Sequence, residues 1–440
     1  MPIRDLFLTV VIFGSVPAIL RDPYWGVLMW NWLAFMSPHR YTWGFAYNMR
    51  FSLVVAAATL LSFVLYSGRK TVPWRAPMIL TVTLFVWVSA TTLLAMNPSG
   101  AYAEWDRFAK IIVMVVVASA LLHTRQRIEW LVIVIVLSLG FYGFKGGIFT
   151  VMTGGAYAVY GPEGTFIGGN NEIGLALIMT IPLLRYCQLT TDKFWAKRLL
   201  LVGMILCLIA VVGTQSRGAF LGVAIMLMFL LRNSRHKWTL FFVMILALPA
   251  IYSFMPESWH QRMATIKTYE QDSSAMGRIN AWMMAYNLAK DRLTGGGFEC
   301  FRRPSFAMYA PDPGNVHDAH SIYFEVLGEH GFIGLALFLA IGYAAWRSCR
   351  WIMKRTKDRE DLKWIHDLGA MLQVSLVGYA SAGAFLGLAY FDLYYNLIAL
   401  IVLAKTIAAK VLRGEDVGEP ERAKPVPTYG VARGNARSAG

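Results

Sequence analysis

Residues 317–346 read HDAHSIYFEVLGEHGFIGLALFLAIGYAAW. The opening is polar and carries two histidines, and from Gly331 onward the stretch is apolar without a charge. Such a run reads as a helix that crosses a membrane. His320, Tyr323, Phe324 and Leu327 fall at helical spacing, which places His320 on the apolar face of a short helix. Gly331 and Gly334 mark where that helix bends into the span. The rest of the chain repeats the pattern. Of 440 residues, 57% are hydrophobic and 15% charged, against about 25% charged in soluble domains. The fold class expected is therefore an all-α polytopic membrane protein.

The spans expected are 50–66, 77–95, 107–122, 128–142, 173–189, 198–213, 218–231, 238–254, 331–346, 368–385 and 387–409. Basic clusters at Arg69/Lys70/Arg75, Arg125/Arg127, Lys193/Lys197/Arg198, Arg232/Arg235/Lys237 and 347–363 fall in alternate loops. The positive-inside rule makes those loops cytoplasmic. The loops near 37–49, 96–106, 144–172, 214–217 and 255–320 then face outward. Residues 1–36 hold two apolar pieces interrupted by Arg21, Asp22 and Pro23, which read as one broken crossing. About twelve spans result, with both ends inside. No cleavable signal peptide is expected, because the first apolar run, 6–20, is not followed by a small-x-small site.

Four units follow: transmembrane helices over 1–254, a large outward loop or lid over 255–320, further spans over 321–411, and a tail over 412–440. The tail is rich in Pro, Gly and Arg and is expected to be disordered. The net charge of +15 lies largely in short loops and the tail, so it reads as topology and attraction to anionic membrane lipids, not as nucleic-acid binding. Cys187, Cys207, Cys300 and Cys349 show no pairing or ligand spacing, so neither a disulfide nor a metal is expected.

Within the lid a helix is expected, capped by Ser273 or Ser274, with Ile279, Trp282, Met283, Tyr286 and Leu293 as its apolar stripe and Gly295–Gly297 as its stop. Residues 301–315 read as a loop over it. Arg217 lies in the outward turn between two spans, and the helix after it points its N-terminus there. Free N–H groups and an arginine together favour an anion, and this reading is preferred to an interfacial arginine snorkelling to lipid phosphate. Arg278 opens the lid helix with the same logic, or pairs with Glu270 or Asp272. His320 suits a general base near neutral pH, or a core histidine satisfied by a carbonyl. His317 is three residues earlier, on nearly the same face. Asn170 and Asn171, after the glycines of 161–169, offer sugar-type hydrogen bonds or a helix cap, and Arg107 and Lys110 add basic character on the same side. Asp392 in the last span is expected to have a structural partner such as an arginine or a tyrosine hydroxyl. Two arginines, one base and no carboxylate pair suit a substrate whose leaving group is already a good anion, such as a pyrophosphate.

On these residues the chain resembles the O-antigen ligase and polymerase superfamily of bacterial inner membranes. His320-Ser321, nine residues, Gly331, two residues and Gly334 is similar to the ligases' histidine motif, Thr214–Gly218 to their first-arginine turn, and Gly277-Arg278 with Gly295–Gly297 to their loop signature. The N-terminal third, with Pro23-Tyr24-Trp25-Gly26 and Met36–Arg40, resembles the subgroup known as exosortase-associated O-glycosylation ligases. The resemblance implies a GT-C-like, inverting, metal-independent glycosyltransferase without a cofactor. Its donor would be an undecaprenyl-diphosphate-linked O-antigen, and the ligases' acceptor is lipid A-core. Arg217 and Arg278 would bind the diphosphate and His320 would activate the acceptor hydroxyl, on the periplasmic side. An O-antigen polymerase and a protein O-glycosylation ligase share this chemistry with other acceptors. A lipid-linked glycan transporter would use the same basic cavity without chemistry, and a polytopic scaffold would use none of it.

Overall fold

The computed structural model describes residues 3–233, 237–264 and 273–415. In chain order the helices are α1 (Ile3–Arg21), α2 (Pro23–Met36), α3 (Phe51–Leu65), α4 (Ala76–Leu93), α5 (Pro98–Leu121), α6 (Arg125–Met152), α7 (Asn170–Thr190) and α8 (Phe194–Gly213). They continue as α9 (Arg217–Asn233), α10 (Lys237–Phe254), α11 (Glu257–Ala264), α12 (Ser273–Asp291), α13 (Arg303–Tyr309), α14 (Ile322–Thr356), α15 (Lys363–Ala382) and α16 (Asp392–Leu412). Among the described residues, eight helices are long and apolar enough to cross a membrane. The architecture is that of an all-helical polytopic membrane protein. Glu270, Asp272 and the tail beyond residue 415 lie outside the described residues.

Hydrogen bonds between loops sort the helix ends onto two faces. On one, Met96 N–H donates to the Gly296 carbonyl, Arg40 to that of Gly164, Gln215 to that of Gly155, and Asn170 to that of Thr214. On the other, Arg127 pairs with Asp22 at 2.6 Å and Thr71 N–H donates to the Ala120 carbonyl. The second set includes the loops of the Arg69/Lys70/Arg75 and Arg125/Arg127 clusters, and the first lies in loops without those clusters.

The first 36 residues differ from the single broken crossing expected. Pro23 is the first residue of α2, where its missing N–H costs nothing, and Asp22 caps that helix by accepting from Tyr24 N–H. Asp5, fully buried near the start of α1, accepts the N–H of Ala46 in the 37–50 loop at 2.9 Å. Arg4 reaches the Tyr41 carbonyl and lies over the Trp43 ring. The start of α1 and the end of α2 therefore lie on the same face. The pair is an antiparallel hairpin, packed with α3 around its own small core of Leu8, Ile12, Leu33 and Phe51.

α14 is bent where Gly331 adopts φ 67° and ψ −171°. The bend leaves the carbonyls ending the first half without helical partners, and each finds another donor. Gly328 and Glu329 accept from the N–H groups of Gly296 and Gly297, both at 2.8 Å, and His330 accepts from Trp87 Nε1 at 2.9 Å. The glycine triplet thus does more than stop α12: it supplies the main chain that seals the bend. A side chain at 331 would collide with the Leu293 carbonyl, and one at 297 with Ala95. The first half of α14 starts against the end of α15, where Ile322 meets Gly383, and finishes against α4, where His330 Nδ1 meets Thr91 Oγ1 at 2.7 Å.

Candidate functional site

His320 is not on a helix. It precedes α14 by two residues and has φ 41°, left-handed backbone that a non-glycine residue adopts only when its surroundings hold it there. The neighbouring contacts are firm. Ala319 accepts from Trp282 Nε1 at 2.7 Å, Trp282 stacks on Phe324 with centroids 4.8 Å apart, and the Glu325 N–H donates to the Ser321 carbonyl. The left-handed step turns the imidazole off the line of α14, where helical spacing had placed it.

α12 carries Arg278 in its second turn. Its buried face is Gly277, Ala281, Met284, Ala285 and Leu288, not the stripe that periodicity suggested. Met283, Tyr286 and Leu293 are exposed. Small residues win that face because α12 lies close on α14, with Ala285 against Gly328. Gly277 is filled by the His317 imidazole, which any side chain there would strike. Residues 301–315, expected as loop, contain the short α13. Its Phe306, with Cys300 before the helix, joins Ala281 and Leu288 in a small separate core.

Electrostatically, His320 faces Arg278, Asp318 and His317. Half-burial and then the Arg278 charge push the imidazole below its usual 6.5, while Asp318 pulls it back up. His320 thus lies within electrostatic reach of Arg278 and His317, and His317 packs against Gly277 beside Arg278. Arg278 is also within electrostatic reach of Glu172, in the first turn of α7. Arg217 is the first residue of α9, whose start is capped by Ser216 Oγ accepting from Ala219 N–H at 3.2 Å. The Arg217 and His320 ends meet one short 3₁₀ turn: Gly218 packs on Phe385 and Ile322 on Gly383.

Asn170 does not cap its own helix. Its amide reaches the Thr214 carbonyl at 2.9 Å and so ties α7 to the arginine turn, with half-buried Asn171 beside it. Arg107 pairs with Glu104 at 3.1 Å and lies over the Phe166 ring, at the rim of the same face. Lys110 pairs with Asp106. Asp392 proves to begin α16 and is buried in its first turn, where the free main-chain N–H groups of a helix N-terminus favour a carboxylate.

Sequence reasoning missed the role of two carboxylates on the first half of α14. Glu329, buried, accepts from Glu299 N–H at 3.0 Å and from the Tyr390 hydroxyl at 2.6 Å. Glu325 accepts from Ala389 N–H at 3.0 Å. The signal was present: two glutamates four residues apart entering an apolar run need partners.

A half-buried imidazole kept neutral can take a proton from a hydroxyl, while guanidinium groups and a helix N-terminus stabilise a departing anion. Two family comparisons bear on this arrangement. Residues 3–193 match a family of unknown function (DUF5935). No curated protein matches the chain. Residues 202–339, which contain Arg217, Arg278 and His320, match the family described as O-antigen ligase, and this supports the O-antigen ligase superfamily for the chain.

Proposed function

We propose that the chain transfers a glycan from undecaprenyl diphosphate to a sugar hydroxyl of lipid A-core, at the periplasmic face of the bacterial inner membrane. The observation that carries this reading is the meeting of His320, held towards its neutral form, with Arg278, on the face where Arg217 opens α9. The acceptor oxygen attacks the anomeric carbon as the bond to the diphosphate breaks. His320 accepts the hydroxyl proton, and Arg217 and Arg278 bind the diphosphate as its charge grows. Attack opposite the leaving group inverts the anomeric centre, and the step as written needs no metal. Asn170 positions the Arg217 turn through its bond to Thr214. His317 backs Arg278 through Gly277.

The test is reconstitution of purified protein with polyprenyl-diphosphate-linked glycan and rough lipopolysaccharide as sole acceptor. Extension of the lipopolysaccharide, abolished by Arg217→Ala, is the expected result. A lipid-linked glycan that lengthens while lipopolysaccharide stays unchanged would replace the ligase reading with a polymerase. Transfer that appears only when a protein acceptor is added would replace it with protein O-glycosylation.

A further inference from the structure

α12 carries more of the candidate site than Arg278. Asn280, two residues on and only 7% exposed, directs its whole amide at the segment that leads to His320. Its Nδ2 donates to the carbonyls of Asp312 and Asn315, both at 2.8 Å, and its Oδ1 accepts from Asp312 N–H at 2.9 Å. The segment turns at that point, where Gly314 N–H donates to Asp312 Oδ1 at 3.0 Å. A carboxylate has no donor for those two carbonyls, and a hydroxyl has only one.

From that turn the chain crosses α12 and is fastened again. The His317 ring fills the space over Gly277. Trp282 Nε1 donates to the carbonyl of buried Ala319 at 2.7 Å while its ring stacks on Phe324. The next residue is His320, with φ 41°. The peptide that Trp282 holds is therefore the one that enters the left-handed step, and such backbone persists at a residue with a side chain only where its surroundings fix it. Trp282 is one helical turn beyond Arg278, so both lie on one side of α12. A single helix thus places the arginine and, through two other side chains, the main chain that carries the imidazole.

We infer that Asn280 and Trp282 are positioning residues of the transfer step: they fasten residues 312–320 to α12 and so set where the His320 ring stands relative to Arg278. The inference rests on the proposed function. Their effect passes through His320, and a reacting group displaced by about 1 Å can cost on the order of 10²-fold in rate.

The experiment is a double-mutant cycle on the full chain, with polyprenyl-diphosphate-linked glycan as donor and rough lipopolysaccharide as acceptor. Rates are read per folded protein recovered from the membrane. Asn280→Asp turns a carboxylate on two carbonyls, and Trp282→Phe keeps a ring for Phe324 but removes the N–H. Each is expected to lower kcat on the order of 10²-fold. The KM for the donor should change by less than about twofold, because Arg217 and Arg278 remain. The acid limb of kcat/KM should rise towards pH 6.5, since a released imidazole leaves the burial and the Arg278 charge that hold it lower. Asp318 and His317, which also bear on it, belong to the fastened segment itself. In a His320→Ala background the same substitutions should cost little more, because no imidazole is left to place. An equal loss in both backgrounds, or an acid limb that does not move, would overturn the positioning role and leave the proposed function standing. Where Asn280→Asp fails to accumulate, Trp282→Phe decides alone. Undiminished transfer by His320→Ala would remove the base from the proposed function and the positioning role with it.

Discussion

His320 combines a left-handed backbone with a half-buried ring beside a cation, and each feature has a measurable consequence. His320→Ala is expected to lower kcat by about 10²–10⁴-fold, the range for loss of a general base, with membrane abundance unchanged. Normal transfer by that variant would remove the base role. The pH dependence has a definite sign. Burial and Arg278 lower the imidazole's ionisation below 6.5, so the neutral, active form persists as pH falls to that value and is lost only below it. The acid limb of kcat/KM should therefore lie under pH 6.5. Arg278→Gln removes a lowering influence and should shift that limb upward, whereas Arg278→Lys should leave it in place. The same sign applies to stability. The unfolded chain takes up the proton first on acidification, so this group favours folding less below about pH 6.5 than above it.

At the scale of elements, the bent α14 and the Gly295–Gly297 segment are one unit, joined by the main-chain bonds of Gly328 and Glu329. Gly331→Ala would place a Cβ against the Leu293 carbonyl in backbone that already disfavours side chains. Such backbone, essentially confined to glycine, costs a side chain about 1–3 kcal/mol, so thermal unfolding in detergent should show a clear fall in Tm and transfer should fall with it. Glu329→Ala would strip partners from Glu299 N–H and the Tyr390 hydroxyl. Each buried group left unsatisfied costs about 1–3 kcal/mol, and a Tm unchanged by Glu329→Ala would show that this carboxylate does not hold the lid segment.

For the whole molecule, the hairpin of α1 and α2 sets which face the start of α1 occupies. A cysteine introduced at Arg4 should react with a membrane-impermeant maleimide on the same side as one at Trp43, and on the opposite side from one at Thr124. Labelling of the Arg4 and Thr124 positions from one side would restore the single broken crossing. The two faces also explain how charge is distributed. The loops holding Asp22, Thr71 and Arg127 meet on one, and the Arg217 turn, the Gly295–Gly297 segment and the start of α14 lie on the other.

The sequence by itself determined the membrane class, the alternation of loops and the residues worth naming, because apolar length, charge alternation and glycine position are local properties of a chain. It showed Gly331 as a bend and Arg217 as the start of a helix. It did not show that Pro23 begins a returning helix, since a proline between two apolar runs reads alike as a kink or as a first residue. That choice is made by Asp5 and Ala46, 41 residues apart. Periodicity also misjudged α12, whose buried face follows how closely α14 approaches and not where the largest apolar side chains lie. His320 left its predicted helix for a related reason: bonds from Trp282, 37 residues away in sequence, hold the loop before α14 in place. Only the tertiary structure decided these points, because each depends on contacts between parts of the chain far apart in sequence.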